Sequence, residues 1–122
     1  MFTVERRGPW AVLLLKGELD LAVGAELRRD VIELLPSDEP RALAIDLSEV
    51  TFIDSTVIGI LAMAHKRAAR YGGRLAIFGA SERVGRVLQM TGLAAVLDLR
   101  DSVQDLEPST AEFGQAWPET AS

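Results

Sequence analysis

The chain has 122 residues, of which 48% are hydrophobic and 25% are charged, and its formal net charge is −5. This length fits one compact domain, and this composition is typical of globular proteins. There is no Cys and only one His, so we expect no disulfide and no metal or cofactor site. The sequence has no basic stripe interleaved with aromatics and no apolar run long enough to cross a bilayer. We therefore expect neither nucleic-acid binding nor a transmembrane helix.

The first third of the chain predicts a hairpin, a helix and a buried strand. Residues 2–6 and 10–16 are strand-like and flank the turn signal Gly8-Pro9. Residues 11–15 are continuously apolar, as in a strand covered on both faces. Asp20 is a candidate N-cap for a helix over residues 21–35, which PSDEP ends, and residues 41–47 form the next strand.

A second helix is predicted from Asp54 to about Tyr71, because apolar residues recur there at steps of three and four. The residues expected to face the core are Ile58, Leu61, Ala62, Ala68 and Ala69. Gly72-Gly73 ends this helix, and residues 74–78 form a further strand.

The last part of the domain predicts one more helix and one more strand. Ser81 is a candidate N-cap, and Val84, Val87 and Leu88 give the helix an apolar face until Gly92 ends it. Residues 94–99 read as a final strand and residues 102–107 as one helical turn. Residues 107–122 are polar and aperiodic, so we expect a flexible acidic tail after a domain over residues 1–106.

The order of these elements predicts an α/β fold. Strands alternate with helices after the hairpin, which implies right-handed crossovers and a mixed, mostly parallel sheet of about five strands with helices packed against it. The opening hairpin supplies an antiparallel edge. The loop after Ile53 then lies at the carboxyl end of the sheet, where ligand and regulatory sites are common.

That loop carries an acid and two hydroxyls, Asp54, Ser55 and Thr56, at a helix N-terminus. One hypothesis is capping alone, in which Asp54 or Ser55 stabilises the helix by about 1 kcal/mol. A second makes Ser55 a modification site, because a helix N-terminus tolerates a phosphate whose charge repels a docked partner. A third, in which Asp54 or His65 activates Ser55 as a nucleophile, lacks an oxyanion-hole loop, and we expect His65 to be structural and the chain not to be an enzyme.

Three segments resemble one family of bacterial regulators. FIDSTVIGIL, at residues 52–61, resembles the DSxGL signature of anti-sigma factor antagonists, which are small STAS-domain proteins. GELDLAVGAELRRDV, at residues 17–31, resembles the opening strand and helix of that family. Residues 72–106, with TGL at 91–93, resemble its second half. The likeness omits only the tail.

The resemblance implies a partner-switching role. In that family the unphosphorylated antagonist binds an anti-sigma factor, often a serine kinase, and so frees the sigma factor for transcription. Phosphorylation breaks the complex, and a metal-dependent Ser/Thr phosphatase restores it. By position the phosphorylated residue is Ser55, with Thr56 as the less favoured hydroxyl, and Asp54 and Asp20 lie beside it.

The predicted partner surface extends from this junction. If Ile58, Leu61 and Ala62 face the core, the outer side of the helix carries Val57, Ile60, Ala64 and Arg67. We therefore expect contacts from Asp20, Leu21, Asp54, Ser55, Thr56, Val57, Ile60 and Arg67.

One residue departs from the family pattern. Val57 stands two positions after Ser55, where the family usually has Gly, and the next glycine is Gly59. A β-branched side chain there could narrow the access of the kinase to Ser55 or change which partner fits.

A different class of function is a non-switching scaffold or ligand-binding subunit of a stress-sensing or transport assembly, because STAS-like domains occur there too. Identifying the protein that co-purifies with the chain would discriminate between the two. For either function we expect a cytoplasmic location without membrane insertion, because no secretory signal opens the chain.

Overall fold

The computed structural model describes residues 2–102 and shows five strands and three α-helices. In chain order they are β1 Thr3–Arg7, β2 Trp10–Leu19, α1 Leu21–Leu34, β3 Ala42–Ile53, α2 Ser55–Arg70, β4 Arg74–Phe78, α3 Glu82–Met90 and β5 Leu99–Arg100, with a 3₁₀ turn at Leu93–Ala95. The spatial order of the strands is β1-β2-β3-β4-β5. β1 pairs with β2 in antiparallel fashion and the other three pairs are parallel, which confirms the predicted mixed α/β sheet.

Both faces of the central strands are apolar and buried. One face, with Leu13, Ile45 and Ile77, packs against all three helices. The alternate residues form a second cluster on the opposite face, in which Trp10 and Phe78 are fully buried. This two-sided burial explains the continuous apolar run in β2, as predicted.

β3 is longer than the predicted strand of residues 41–47. Its two apolar segments are joined next to Asp46, a buried carboxylate that accepts a hydrogen bond from the Ser48 backbone N–H at 2.9 Å. The pairing with β2 shifts register there and again after Gly17, and it ends at the Leu19–Ile53 pair. Because β2 continues alongside, the chain stays extended and brings Asp54 to the carboxyl edge of the sheet.

The final strand differs from the prediction of residues 94–99. Gly92 adopts a left-handed conformation with φ +83°, and a 3₁₀ turn follows it. The N–H groups of Ala95 and Val96 donate to the Gly92 and Leu93 carbonyls within that turn. These N–H groups are therefore not available for hydrogen bonds to β4. Pairing with β4 starts only at Leu99. The predicted turn after Ser102 and the predicted tail lie outside the described residues.

No helix within residues 2–102 is long and apolar enough to cross a membrane.

Candidate functional site at two paired helix N-termini

Two neighbouring strands end side by side, and each is followed by an Asp that caps a helix. Leu19 of β2 pairs with Ile53 of β3, and the Asp54 N–H donates to the Leu19 carbonyl at 3.2 Å. The Asp20 carboxylate accepts from the Val23 N–H at 3.1 Å, and the Asp54 carboxylate accepts from the Val57 N–H at 3.0 Å. Both predicted caps are confirmed, and the register of the sheet places them on one surface.

The two helices approach closely near these ends. Gly24 of α1 is buried, and a Cβ built there would lie 3.1 Å from the Thr56 methyl carbon. Thr56 is therefore half-buried with its methyl group against α1, while Ser55 is exposed. Of the two adjacent hydroxyls, Ser55 is the more accessible to a modifying enzyme.

Ser55 is the first residue of α2, and its hydroxyl has no hydrogen-bond partner among residues 2–102. Asp54 already satisfies the Val57 N–H, and the Ile58 N–H donates to the Asp54 carbonyl at 3.1 Å. The N–H groups at the start of a helix lack intrahelical acceptors and carry the positive end of the dipole. A phosphate on Ser55 would be accommodated by the fold, while its charge would add to that of Asp54 on the same surface.

The prediction that Val57, Ile60 and Ala64 lie on the outer side of α2 is wrong. Val57 and Ala64 are fully buried and Ile60 is 6% exposed, and all three belong to the core. The expected core positions are also partly wrong, because Ala69 is exposed and Ala62 is only half-buried, whereas Ile58 is half-buried and packs against the core as predicted. The reason is that α2 packs against α1 as well as the sheet, so its buried face is rotated from the single stripe that periodicity predicts.

The burial of Val57 removes it from the surface beside Ser55. Its side chain points into the core, so it cannot narrow the access to Ser55 as the sequence suggested. The uncovered position is Gly59, one turn after Ser55, where an added Cβ would meet no atom within 4 Å. The family pattern has a glycine at position 57, whereas in this chain the exposed glycine close to Ser55 is Gly59.

Two exposed apolar residues lie close to the junction along the chain, and one of them was predicted. Leu21, the first residue of α1, is 67% exposed and was among the predicted contacts. Phe52 is 48% exposed and borders an open cavity of about 350 Å³ that Glu18, Thr51 and Arg83 also line. Sequence reasoning missed Phe52, although its alternation with buried Ile53 along β3 is a signal that it does not enter the core that Ile53 joins.

Arg67 and His65 lie far from Ser55. Arg67 is twelve residues further along α2, about 18 Å at the helical rise, and its Nε donates to the Leu35 carbonyl at the end of α1. His65 is half-buried, at about 15 Å along the axis, and lines a separate cavity with Val96 and Asp98. The structure does not bring either residue together with Ser55, so Arg67 is not part of the surface at the junction and His65 is not positioned as its base.

No group of three or more His, Asp or Glu side chains within the described residues is placed to hold a metal ion.

Comparison with known proteins agrees with this architecture. The family model of the STAS domain matches residues 1–106, so the chain belongs to the STAS domain family. An anti-sigma-B factor antagonist of Listeria monocytogenes is 29% identical over 99 residues, covering 81% of this chain and 86% of that protein.

Two solved structures are similar in fold. An anti-sigma factor antagonist from Mycobacterium paratuberculosis has a TM-score of 0.76 and 26% identity, covering 90% of this chain and 91% of that chain. The Bacillus cell fate determinant SpoIIAA in its phosphorylated form has a TM-score of 0.69 and 20% identity, covering 86% and 94%. At that identity the likeness to SpoIIAA concerns the fold alone.

Proposed function

We propose that this protein is an anti-sigma factor antagonist that binds an anti-sigma factor of the serine kinase type in the cytoplasm and is released by phosphorylation of Ser55. The observation that carries the proposal is the exposed Ser55 hydroxyl at the start of α2, beside a second Asp-capped helix. Relatives named anti-sigma-B factor antagonists and the family match support the antagonist role. The protein itself is a binding partner and the kinase supplies the catalysis.

The docking surface of this proposal is centred on the paired N-termini. Leu21, next to Asp20, and Phe52, three residues before Ser55, supply exposed apolar area. Asp20 and Asp54 supply negative charge. Arg83, beside Phe52, is a cation in the adjoining cavity. Apolar anchors surrounded by charged groups are typical of protein interfaces. This surface replaces the predicted one that included Val57, Ile60 and Arg67.

Phosphorylation then acts as an electrostatic switch. A phosphate adds about −1.5 to −2 charges at neutral pH to a surface that already holds two carboxylates. The helix N-terminus tolerates the phosphate, so the fold changes little. A partner surface that fits the unphosphorylated Ser55 would instead face a negative charge without a counter-ion and a larger group. A Ser/Thr phosphatase that removes the phosphate restores binding.

The experiment is a phosphorylation and binding assay with the cognate anti-sigma factor kinase, identified by its co-purification with this protein. Incubation with that kinase, ATP and Mg²⁺ should place one phosphate on Ser55, as mapped by mass spectrometry, and abolish binding measured by calorimetry. Ser55→Ala should bind without being phosphorylated, and Ser55→Asp should bind at least tenfold more weakly. Thr56→Val is the matched control and should retain phosphorylation.

Two outcomes would contradict the proposal. If the kinase is active but leaves Ser55 and Thr56 unmodified, phosphorylation at this site does not control binding. Equal affinity of Ser55→Asp and the unmodified protein would show that charge at this position does not control binding.

A further inference from the structure

A groove with four cations lies between α1 and α2, at the end of the helices away from Ser55. Its volume is about 240 Å³, and it is open to solvent. The cations that line it are Arg28 of α1 and Lys66, Arg67 and Arg70 of α2. Its other lining residues are Ile32, Met63 and Tyr71. We call this feature the basic groove.

The basic groove holds positive charge that no carboxylate within residues 2–102 neutralises. No Asp or Glu lines it, and none of its four cations forms an ion pair within the part of the chain that the structure describes. Elsewhere Lys16, Arg86 and Arg100 each pair with a carboxylate, whereas four other arginines form no ion pair within residues 2–102: Arg6, Arg7, Arg29 and Arg83. The groove differs from these in gathering four such cations around one space in a chain whose net charge is −5. Cations from two helices that face one space without a counter-ion favour an anion from solution.

Two of these guanidinium groups are held in position by the protein. The Arg67 Nε donates to the Leu35 carbonyl, and the Arg67 and Arg70 guanidinium carbons lie 5.2 and 5.7 Å from the centre of the Tyr71 ring. The use of Nε leaves both terminal nitrogens of Arg67 available to an anion. A guanidinium fixed in this way loses less conformational freedom when it binds.

Complementing the dipole of α2 accounts for only part of this arrangement. Arg67 and Arg70 lie in the last turn of α2, where cations are favourable. Arg28 is in the middle of α1 and Lys66 precedes that last turn, so neither is explained by the dipole.

We infer that the basic groove is a binding site for a soluble, phosphate-bearing small molecule. Guanidinium groups match the oxygens of phosphate in a bidentate manner, and a lysine adds a compact charge. Four cations suit a polyvalent anion, because a single carboxylate would leave most of their charge unpaired. Ile32, Met63 and the Tyr71 ring offer an apolar wall for the non-phosphate part of the ligand. This site is separate from the junction at Ser55.

The test is a titration of the full-length ¹⁵N-labelled protein with pyrophosphate, followed by NMR at low and at physiological salt. We expect saturable shifts confined to amides of residues 28–32 and 63–71 and to the Arg67 Nε–H. Phenyl phosphate should bind more tightly than inorganic phosphate if the apolar wall contributes. Lys66→Gln with Arg70→Gln should weaken pyrophosphate binding about tenfold, because two charge-assisted contacts are lost.

The matched control removes two exposed cations that do not line the groove, Arg29→Gln with Arg86→Gln. It makes the same change in net charge and should leave the affinity unchanged. An equal loss in both double variants, or shifts spread over all exposed basic residues, would show non-specific attraction and overturn the inference. Sedimentation with phosphatidylglycerol vesicles distinguishes the source of the phosphate: binding to vesicles without binding to pyrophosphate would overturn a soluble ligand.

Discussion

Substitutions at Val57 and Gly59 test which of these two residues is buried in the core and which is exposed beside Ser55. Val57 is fully buried, so Val57→Ala removes two buried methyl equivalents, worth about 1.6 kcal/mol at ~0.8 kcal/mol each, and leaves a small cavity. The higher helix propensity of Ala returns about 0.5 kcal/mol. With the cavity included, we therefore expect the free energy of unfolding to fall by about 1 to 2 kcal/mol.

The assay is urea unfolding followed by circular dichroism. With a slope of about 1.5 kcal/mol per molar, the midpoint of Val57→Ala should fall by roughly 1 M without a change of slope. Gly59→Ala is the matched control, because its new Cβ meets open space and Ala favours a helix. Its free energy of unfolding should rise by up to about 1 kcal/mol.

A third variant, Gly59→Leu, links this geometry to the proposed switch. Its side chain would lie on the same face as Ser55 and lean towards the N-terminus of α2. It should slow phosphorylation of Ser55 and weaken partner binding without loss of stability, whereas Val57→Ala should leave the phosphorylation rate of the folded protein unchanged. A stability change below 0.5 kcal/mol for Val57→Ala (roughly the scatter of surface substitutions) would falsify the assignment of Val57 to the core.

Two further predictions concern the scaffold that positions the site. Asp54→Ala should lower the free energy of unfolding by about 1 kcal/mol, because the Val57 N–H loses its cap. Asp54→Asn should lower it by only a few tenths of a kcal/mol, because Asn also caps helices. Equal losses for the two variants in thermal unfolding would contradict a capping role. Gly73→Ala should destabilise the domain by more than about 2 kcal/mol, because its Cβ would collide with the Arg41 backbone carbonyl. Gly85→Ala, where an added Cβ meets nothing, is its control, and a similar midpoint for both variants would refute the clash.

The sequence predicted the helices and central strands well because their signals are local. Asp20, Asp54 and Ser81 each precede an apolar helical pattern, and each caps its helix through a bond to the N–H three residues later. Gly72 and Gly92 adopt positive φ angles after helices, as a C-terminal glycine does. These features depend on neighbours a few residues apart, which the sequence displays directly.

The predictions of burial along α2 failed because they depend on contacts between distant segments. Val57 and Ile60 were assigned to the surface because α2 was expected to bury only one apolar face, the one that carries Ile58, Leu61 and Ala62. In the folded chain α1 packs beside α2, with Gly24 against Thr56, so the buried face turns towards both neighbours. The strand predicted at residues 94–99 failed for a different, local reason, since the N–H groups of Ala95 and Val96 are already bonded within a 3₁₀ turn that follows Gly92.

The sequence by itself therefore determined the order of most elements, the helix caps and the position of Ser55 at the start of a helix. Only the tertiary structure decided which residues surround the Ser55 hydroxyl, since the Leu19–Ile53 register brings Asp20 and Asp54 together. It also placed Arg28 opposite Lys66 in the basic groove. The physical reason is that caps and turns follow from bonds between near neighbours, whereas exposure and charge clustering follow from how whole helices pack.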